Sequence, residues 1–304
     1  MSTQTISRRP GQVSGRREAR AAWILAIPFC LLFLTFTAWP VIQSFFMSFT
    51  DTKARDLRNP FAVQFIGLDN YTRALSDPIF RRAALNTAYF VVVCMPLTIL
   101  LALAAAVALD KGIQRFRSVF RLGFYTPVIT SIVAVAVVWR FLLQDPGGLI
   151  NTALGWFGID GPNWLGDPKW AMPAIIMMTA WRTFGTAMII FLAGLQAVPP
   201  ELHEAAAIDG AGVWRRFRHV TLPLLRPTIL FVMVTTAIGY LQIFEEPFVM
   251  TKGGPLNATM TVSYYTYNQF GYGNYGLAAS MSYLIFVVIA IVTAVQFRLL
   301  RERT

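Results

Sequence analysis

Residues 201–227 read ELHEAAAIDGAGVWRRFRHVTLPLLRP, a polar and charged stretch pinned between two long apolar runs. Pro199 and Pro200 precede it, and a proline is tolerated in the first turn of a helix because the amide it lacks has no partner there. Glu201 and Glu204 suit the positive end of that helix, and Ala205, Ala206 and Ala207 keep it helical and slim. The run IDGAG then breaks it, since Gly210 and Gly212 can both take left-handed backbone angles. VWRRFRHV offers a second short amphipathic turn. The stretch therefore predicts a helix–turn–helix, with small side chains that let the groove of another protein come close and Glu204 as an acceptor for a basic residue there. An amphipathic helix resting in lipid headgroups is the other reading. Such helices pair a basic face with large apolar residues, which VWRRFRH does and the acidic, alanine-rich first half does not.

The flanking runs set the solvent. The chain has 304 residues, of which 56% are hydrophobic and 13% charged, with a mean hydropathy of +0.54. That is too apolar for an ordinary soluble domain. A span needs about 20 mostly apolar residues, and six runs qualify: 22–46, 83–109, 119–143, 171–198, 224–248 and 276–297. The first is too long for a cleaved signal, carries Pro28 and Pro40, and lacks a small-residue cleavage site, so it is read as a retained span. The fold class predicted is an all-α membrane protein of about six transmembrane helices, with the helix–turn–helix joining the fourth and fifth. Residues 1–21 form a basic tail expected to be disordered, 22–298 one membrane domain with its loop at 199–223, and 299–304 a second tail.

Arginine and lysine follow the bilayer. With the N-terminus inside, the inner segments hold most of the 26 basic residues, whereas the outer ones gather in one long loop that counts for less in orientation. Both termini and the 199–223 loop are thereby placed on the cytoplasmic side. The net charge of +11 is dispersed over four segments instead of gathered on one face, which excludes nucleic acid as a partner. Membrane lipid is the surrounding partner. Cys30 and Cys94 fall inside spans and support neither a disulfide framework nor a metal site. His203 and His219 are the only histidines, with no cysteine or HExxH pattern beside them, so no metal is expected. No phosphate-cradling G-x-x-x-x-G-K-[ST] loop and no spaced nucleophile–base pair occur. The chain reads as a non-enzyme.

Outside the membrane, DPGGLINTALGWFGIDGPNWLGDPKW suits a re-entrant or surface-lying hairpin, and MTKGGPLNATMTVSYYTYNQFGYGNYG is either an interfacial aromatic belt or a sugar-facing surface. Arg140, Arg182, Glu245 and Glu246 lie within or near the ends of spans, where a charge must face a cavity or a partner, or snorkel. A path for an uncharged solute needs amide or hydroxyl hydrogen-bonders and aromatic faces in an apolar cavity. Trp181, Arg182, Tyr240, Gln242, Glu245, Tyr264 and Asn268 are the candidates.

The run Glu204-Ala205-Ala206-x-x-Asp209-Gly210-Ala211, followed by Val220, Leu222 and Pro223, resembles the EAA signature of permease subunits in binding-protein-dependent ABC importers. FIGLDNYTRAL, NWLGDPKWA and FVMTKGGPLNATMTVSYYTY extend the likeness to the carbohydrate-uptake branch, which includes the permeases of the maltose transporter. The resemblance covers all but the tails. It implies that the loop is a coupling helix docking in a cleft of a cytoplasmic ATPase dimer through Glu204, Ala205, Ala206, Asp209, Gly210, Ala211, Leu222 and Pro223. It also implies a second, homologous permease, an extracytoplasmic solute-binding protein, a sugar substrate and the bacterial plasma membrane. ATP and Mg would sit on the ATPase, and this chain would bind no cofactor. A glycerol-phosphate-type importer, which should require a basic cavity residue such as Arg182, and a passive channel are the alternatives.

Overall fold

The computed structural model describes residues 15–58, 63–112 and 116–300. The expected tails lie outside the described residues up to residue 14 and from residue 301. From Gly15 onward the N-terminal tail is a correction to the sequence reading: α1 (Gly15–Phe33) begins there, because Arg16, Arg17, Glu18, Ala19 and Arg20 favour a helix and nothing interrupts them. A single widened turn, Leu34–Ala38, joins it to α2 (Trp39–Met47). Together they make the first apolar span, Ala22–Met47.

After α3 (Asp69–Ser76) comes α4 (Pro78–Lys111), started by Asp77, whose Oδ1 accepts from the backbone N–H groups of Ile79 and Phe80. The expected third span, 119–143, is not one helix. It is α5 (Arg117–Ile129) and α6 (Ile132–Leu142), crossing at 98°. Pro127 removes a backbone donor from the last turn of α5, and the hydroxyls of Thr126 and Thr130 bond back to the carbonyls of Leu122 and Thr126, which bends a helix further. The next segment, expected outside, carries α7 (Leu149–Trp156), tied down where the Trp164 indole donates to Asn151 at 2.7 Å.

The fourth span is α8 (Ala171–Gln196). Beyond it lie α9 (Pro200–Ile208), α10 (Val213–Arg216), a π-helical turn Phe217–Thr221, α11 (Leu222–Leu224) and α12 (Arg226–Leu241). The fifth span, expected to reach residue 248, stops at Leu241. Pro247 would drive its ring into the carbonyl of residue 243 in a continuous helix, so Glu245–Met250 forms the separate short helix α13. Two more helices complete the chain, α14 (Val262–Gly271) and α15 (Tyr275–Leu300). Among the described residues four helices are long and apolar enough to cross a membrane, and the spans number up to six if each of the two bent pairs counts as one. The molecule is an all-helical, multi-pass membrane protein.

The core sits on α8. Phe90 and Cys94 of α4 pack with Ala174, Ile175 and Met178 of α8, while Ala102, Ala106 and Leu109 pack with Ala187, Phe191 and Leu195, so the two helices run parallel. Alanines and Gly185 along α8 let neighbouring backbones come close, the usual way helices associate where lipid supplies no hydrophobic drive. Leu225 meets the second cluster, and Tyr240 and Ile243 meet the first, so α12 returns antiparallel. A third cluster joins α3, the start of α4, α14 and α15 into a cap at one end. There Asn86 donates to the carbonyls of Asn257 and Met260 at 2.8 and 2.9 Å, and Tyr265 donates to Asp77 at 2.6 Å. Burial, then the carboxylate beside it, push the Tyr265 phenol up to about 12, which keeps it a donor. The helix–turn–helix lies at the opposite end.

Candidate functional site

Two places in this fold can do work. The first is the joint between α8 and α12. Pro199 caps α9 and Pro200 opens it, with Glu201 in its first turn. At the far end the Gly210 N–H bonds to the Ala207 carbonyl at 3.0 Å and the Ala211 N–H to the Ala206 carbonyl at 2.9 Å. That pair of bonds is a Schellman cap, which needs a left-handed residue between helix and exit. Gly210 supplies it at φ +75°. Gly212, also expected to be free for left-handed angles, is instead extended at φ −65°, ψ 169° and starts α10.

Glu204, Ala205, Asp209 and Gly210 are exposed at the tip. Ala206, Ala211, Leu222 and Pro223 are half-buried, the last two on α11 where the joint turns back into the bundle. Sequence reasoning missed Ile208, 88% exposed, and Leu202, which also faces outward; Val213 and Trp214, read there as part of an amphipathic turn, are exposed beside them. Their spacing on α9 and across the turn was the available signal. A helix tip of acids, alanines and bare branched side chains is a surface made to be covered.

The second place is a cleft of about 240 Å³ between α4, α8 and α12, lined by Thr98, Thr183, Thr186, Thr235, Thr236 and Tyr240. Tyr240 is buried and lies 2.8 Å from the Thr98 hydroxyl and 2.6 Å from that of Thr183. Thr183 donates its own hydrogen to the Thr179 carbonyl, so Tyr240 donates to Thr183 and Thr98 donates to Tyr240. One hydrogen-bond chain thus crosses three helices. The threonines went unread in the sequence, although Thr179, Thr183 and Thr186 recur at helical spacing in an apolar run.

The other path candidates are scattered. Trp181 faces away from the cleft on α8, its ring 5.6 Å from that of Trp139 beside an apolar groove. Arg182 is half-buried, its Nε buried without a hydrogen-bond partner, and its charge reaches the carboxyl of Glu246. Glu246 is buried on α13 instead of snorkelling to the interface; Glu245 beside it is exposed, as is Arg140 in the last turn of α6. Gln242 is exposed and lines a separate cavity of about 650 Å³ between α2, α14 and α15. Tyr264 is buried edge-on against Phe244 and Phe248, and Asn268 is half-buried on α14. Of the seven path candidates read from the sequence, Tyr240 alone lines the threonine cleft.

The loop's EAA run and the six-span plan meet a known family at this point. The profile of the binding-protein-dependent transport system inner membrane component matches residues 95–304. The chain belongs to this family. As a permease it is 36% identical over 287 residues to the lactose transport system permease LacF of Rhizobium radiobacter, covering 92% of this chain and 94% of that one. It is 33% identical to the trehalose/maltose permease MalF of Thermococcus litoralis, covering 94% and 96%. Among solved structures, a chain of a bacterial ABC transporter importing the acidic polysaccharide alginate superposes with a TM-score of 0.79 at 25% identity, over 95% of this permease and 97% of that chain. The alginate transporter bound to a pentasaccharide-loaded periplasmic protein gives 0.78 at 26% identity, over 94% and 95%.

Proposed function

We propose that this permease is the membrane subunit of an ATP-driven importer that takes up a sugar or oligosaccharide. An extracytoplasmic binding protein delivers the solute, and a cytoplasmic ATPase dimer, holding ATP and Mg, docks on the α9 tip. A second permease pairs with this one, and both termini face the cytoplasm of a bacterial cell. The observation that carries the reading is the capped helix at the joint: a rigid, acidic, partly apolar tip standing between two spans, in a chain that matches sugar permeases over nearly its whole length. ATPase closure would move that tip, and the tip would move α8 and α12 as rigid bodies. Those are the helices that carry most of the threonine cleft, so the cleft is where the movement would alter access. This chain's residues perform no hydrolysis.

An uncharged, hydroxyl-rich solute fits the cleft better than a phosphate ester does. Its lining offers hydroxyls that both donate and accept and includes no charged side chain. The test is ATP-dependent uptake of candidate oligosaccharides by vesicles holding this permease, its partner permease, the ATPase and the binding protein. Tyr240→Phe, which removes the hydroxyl linking Thr98 and Thr183, should lower uptake about 2- to 10-fold, the range of one net hydrogen bond. Unchanged uptake would remove the cleft from the path, and flux without ATP would favour a passive channel.

A further inference from the structure

The second half of the joint is basic and aromatic where the first is acidic and alanine-rich. Val213–Leu224 is bent 65° from α12, so with α12 upright in the bilayer it lies closer to the membrane plane than to the normal. Trp214 and Phe217 are stacked, ring centroids 5.6 Å apart at 27°, and fall on the side of Thr221, which is buried against the bundle. Trp214 is 71% exposed, so its indole is left largely uncovered by the described residues. Arg215, Arg218 and Arg226 are exposed, and residues 213–226 contain no carboxylate. Among the described residues the ion pairs are Arg55 with Asp56 and Arg117 with Asp110, and neither involves these arginines.

No carboxylate of the described residues pairs with them, so this basic surface is open to an anion from elsewhere. The ATPase is a poor source: a basic cleft that accepts Glu201, Glu204 and Asp209 of the α9 tip would repel an arginine-rich neighbour. A surface that takes aromatic rings edge-in and anions beside them is the lipid headgroup region, where indoles settle and basic residues meet phosphate. We propose that Val213–Leu224 binds anionic phospholipid headgroups of the cytoplasmic leaflet through Trp214, Arg215 and Arg218. The bilayer then holds one half of the joint while the ATPase holds the other, and the turn at Gly210 separates the two attachments. The proposal rests on the reading above that this end is cytoplasmic.

The full chain in nanodiscs of phosphatidylcholine, doped with either brominated phosphatidylglycerol or brominated phosphatidylcholine, tests it. Trp214 emission is isolated as the difference between the wild type and Trp214→Phe, and the remaining tryptophans report that each variant is folded. Brominated phosphatidylglycerol should quench Trp214 at a lower fraction than the zwitterionic lipid. Arg215→Gln with Arg218→Gln should weaken that preference about 25-fold, about 5-fold for each arginine at a charged surface. Equal quenching by the two lipids, or none, would overturn the proposal, as would loss of Trp214 quenching when the ATPase is added, which would make this half a protein-docking surface. Failure of the importer reading would show separately, as failure of any ATPase to bind.

Discussion

Gly210 holds φ +75° with nothing within 4 Å of the place a Cβ would occupy, so its constraint is purely torsional. A left-handed angle costs an ordinary L-residue about 1–2 kcal/mol, and a β-branched one more, whereas asparagine adopts it readily. Gly210→Val should therefore splay the α9 tip and abolish uptake while leaving ATP hydrolysis by the complex running, and Gly210→Asn should retain uptake. Uptake and hydrolysis measured together in vesicles decide this; normal uptake in the valine variant would show that the turn does not transmit motion. At this scale the sequence was readable where one residue type can do one job. Gly210 was such a residue. Gly212 was not, because a glycine permits an angle without requiring it, and the chain took an extended one. Tyr240 stood out as a polar group in an apolar run, but its partners Thr98 and Thr183 lie 142 and 57 residues away and only helix packing brings them together.

Among the elements, the spans were legible from length and hydropathy, and their interruptions were not. Pro127 and Pro247 were both in view, yet a proline in a membrane helix is compatible with a mild kink, a break or an undisturbed first turn. Here both act as breaks, and the two short helices that follow them, α6 and α13, pack on each other. The close approach of α5 to α8 is another packing fact. A methyl built on Gly185 would strike the Phe124 carbonyl oxygen, a backbone atom that cannot step aside as a side chain can. Gly185→Leu should therefore push α5 off α8 and destabilise the bundle by about 1–3 kcal/mol or more, the usual cost of overpacking. Thermal unfolding of the purified chain in detergent checks it, and an unchanged midpoint would mean that the two helices are held apart.

In the whole molecule, burial is unevenly shared. In the most apolar window of α8 61% of the residues are buried, whereas in that of the first span none is; its main contact with the rest is α2 on α15, where Tyr283 donates to the Val41 carbonyl. A chain so arranged has a packed centre, a cap at one end and, at the other, a tip that the described residues leave largely exposed. In the function proposed above, partner chains cover that tip. The most direct test is affinity purification of the tagged chain from its native membrane in mild detergent, with mass spectrometry of what accompanies it, beside the same purification of Glu204→Lys, which reverses the charge of the tip. Recovery of an ATPase and a second permease with the wild type, and loss of the ATPase alone with Glu204→Lys, is the result expected. Recovery of the chain alone, under conditions that keep other membrane complexes intact, would contradict the docking role of α9 and the importer built on it.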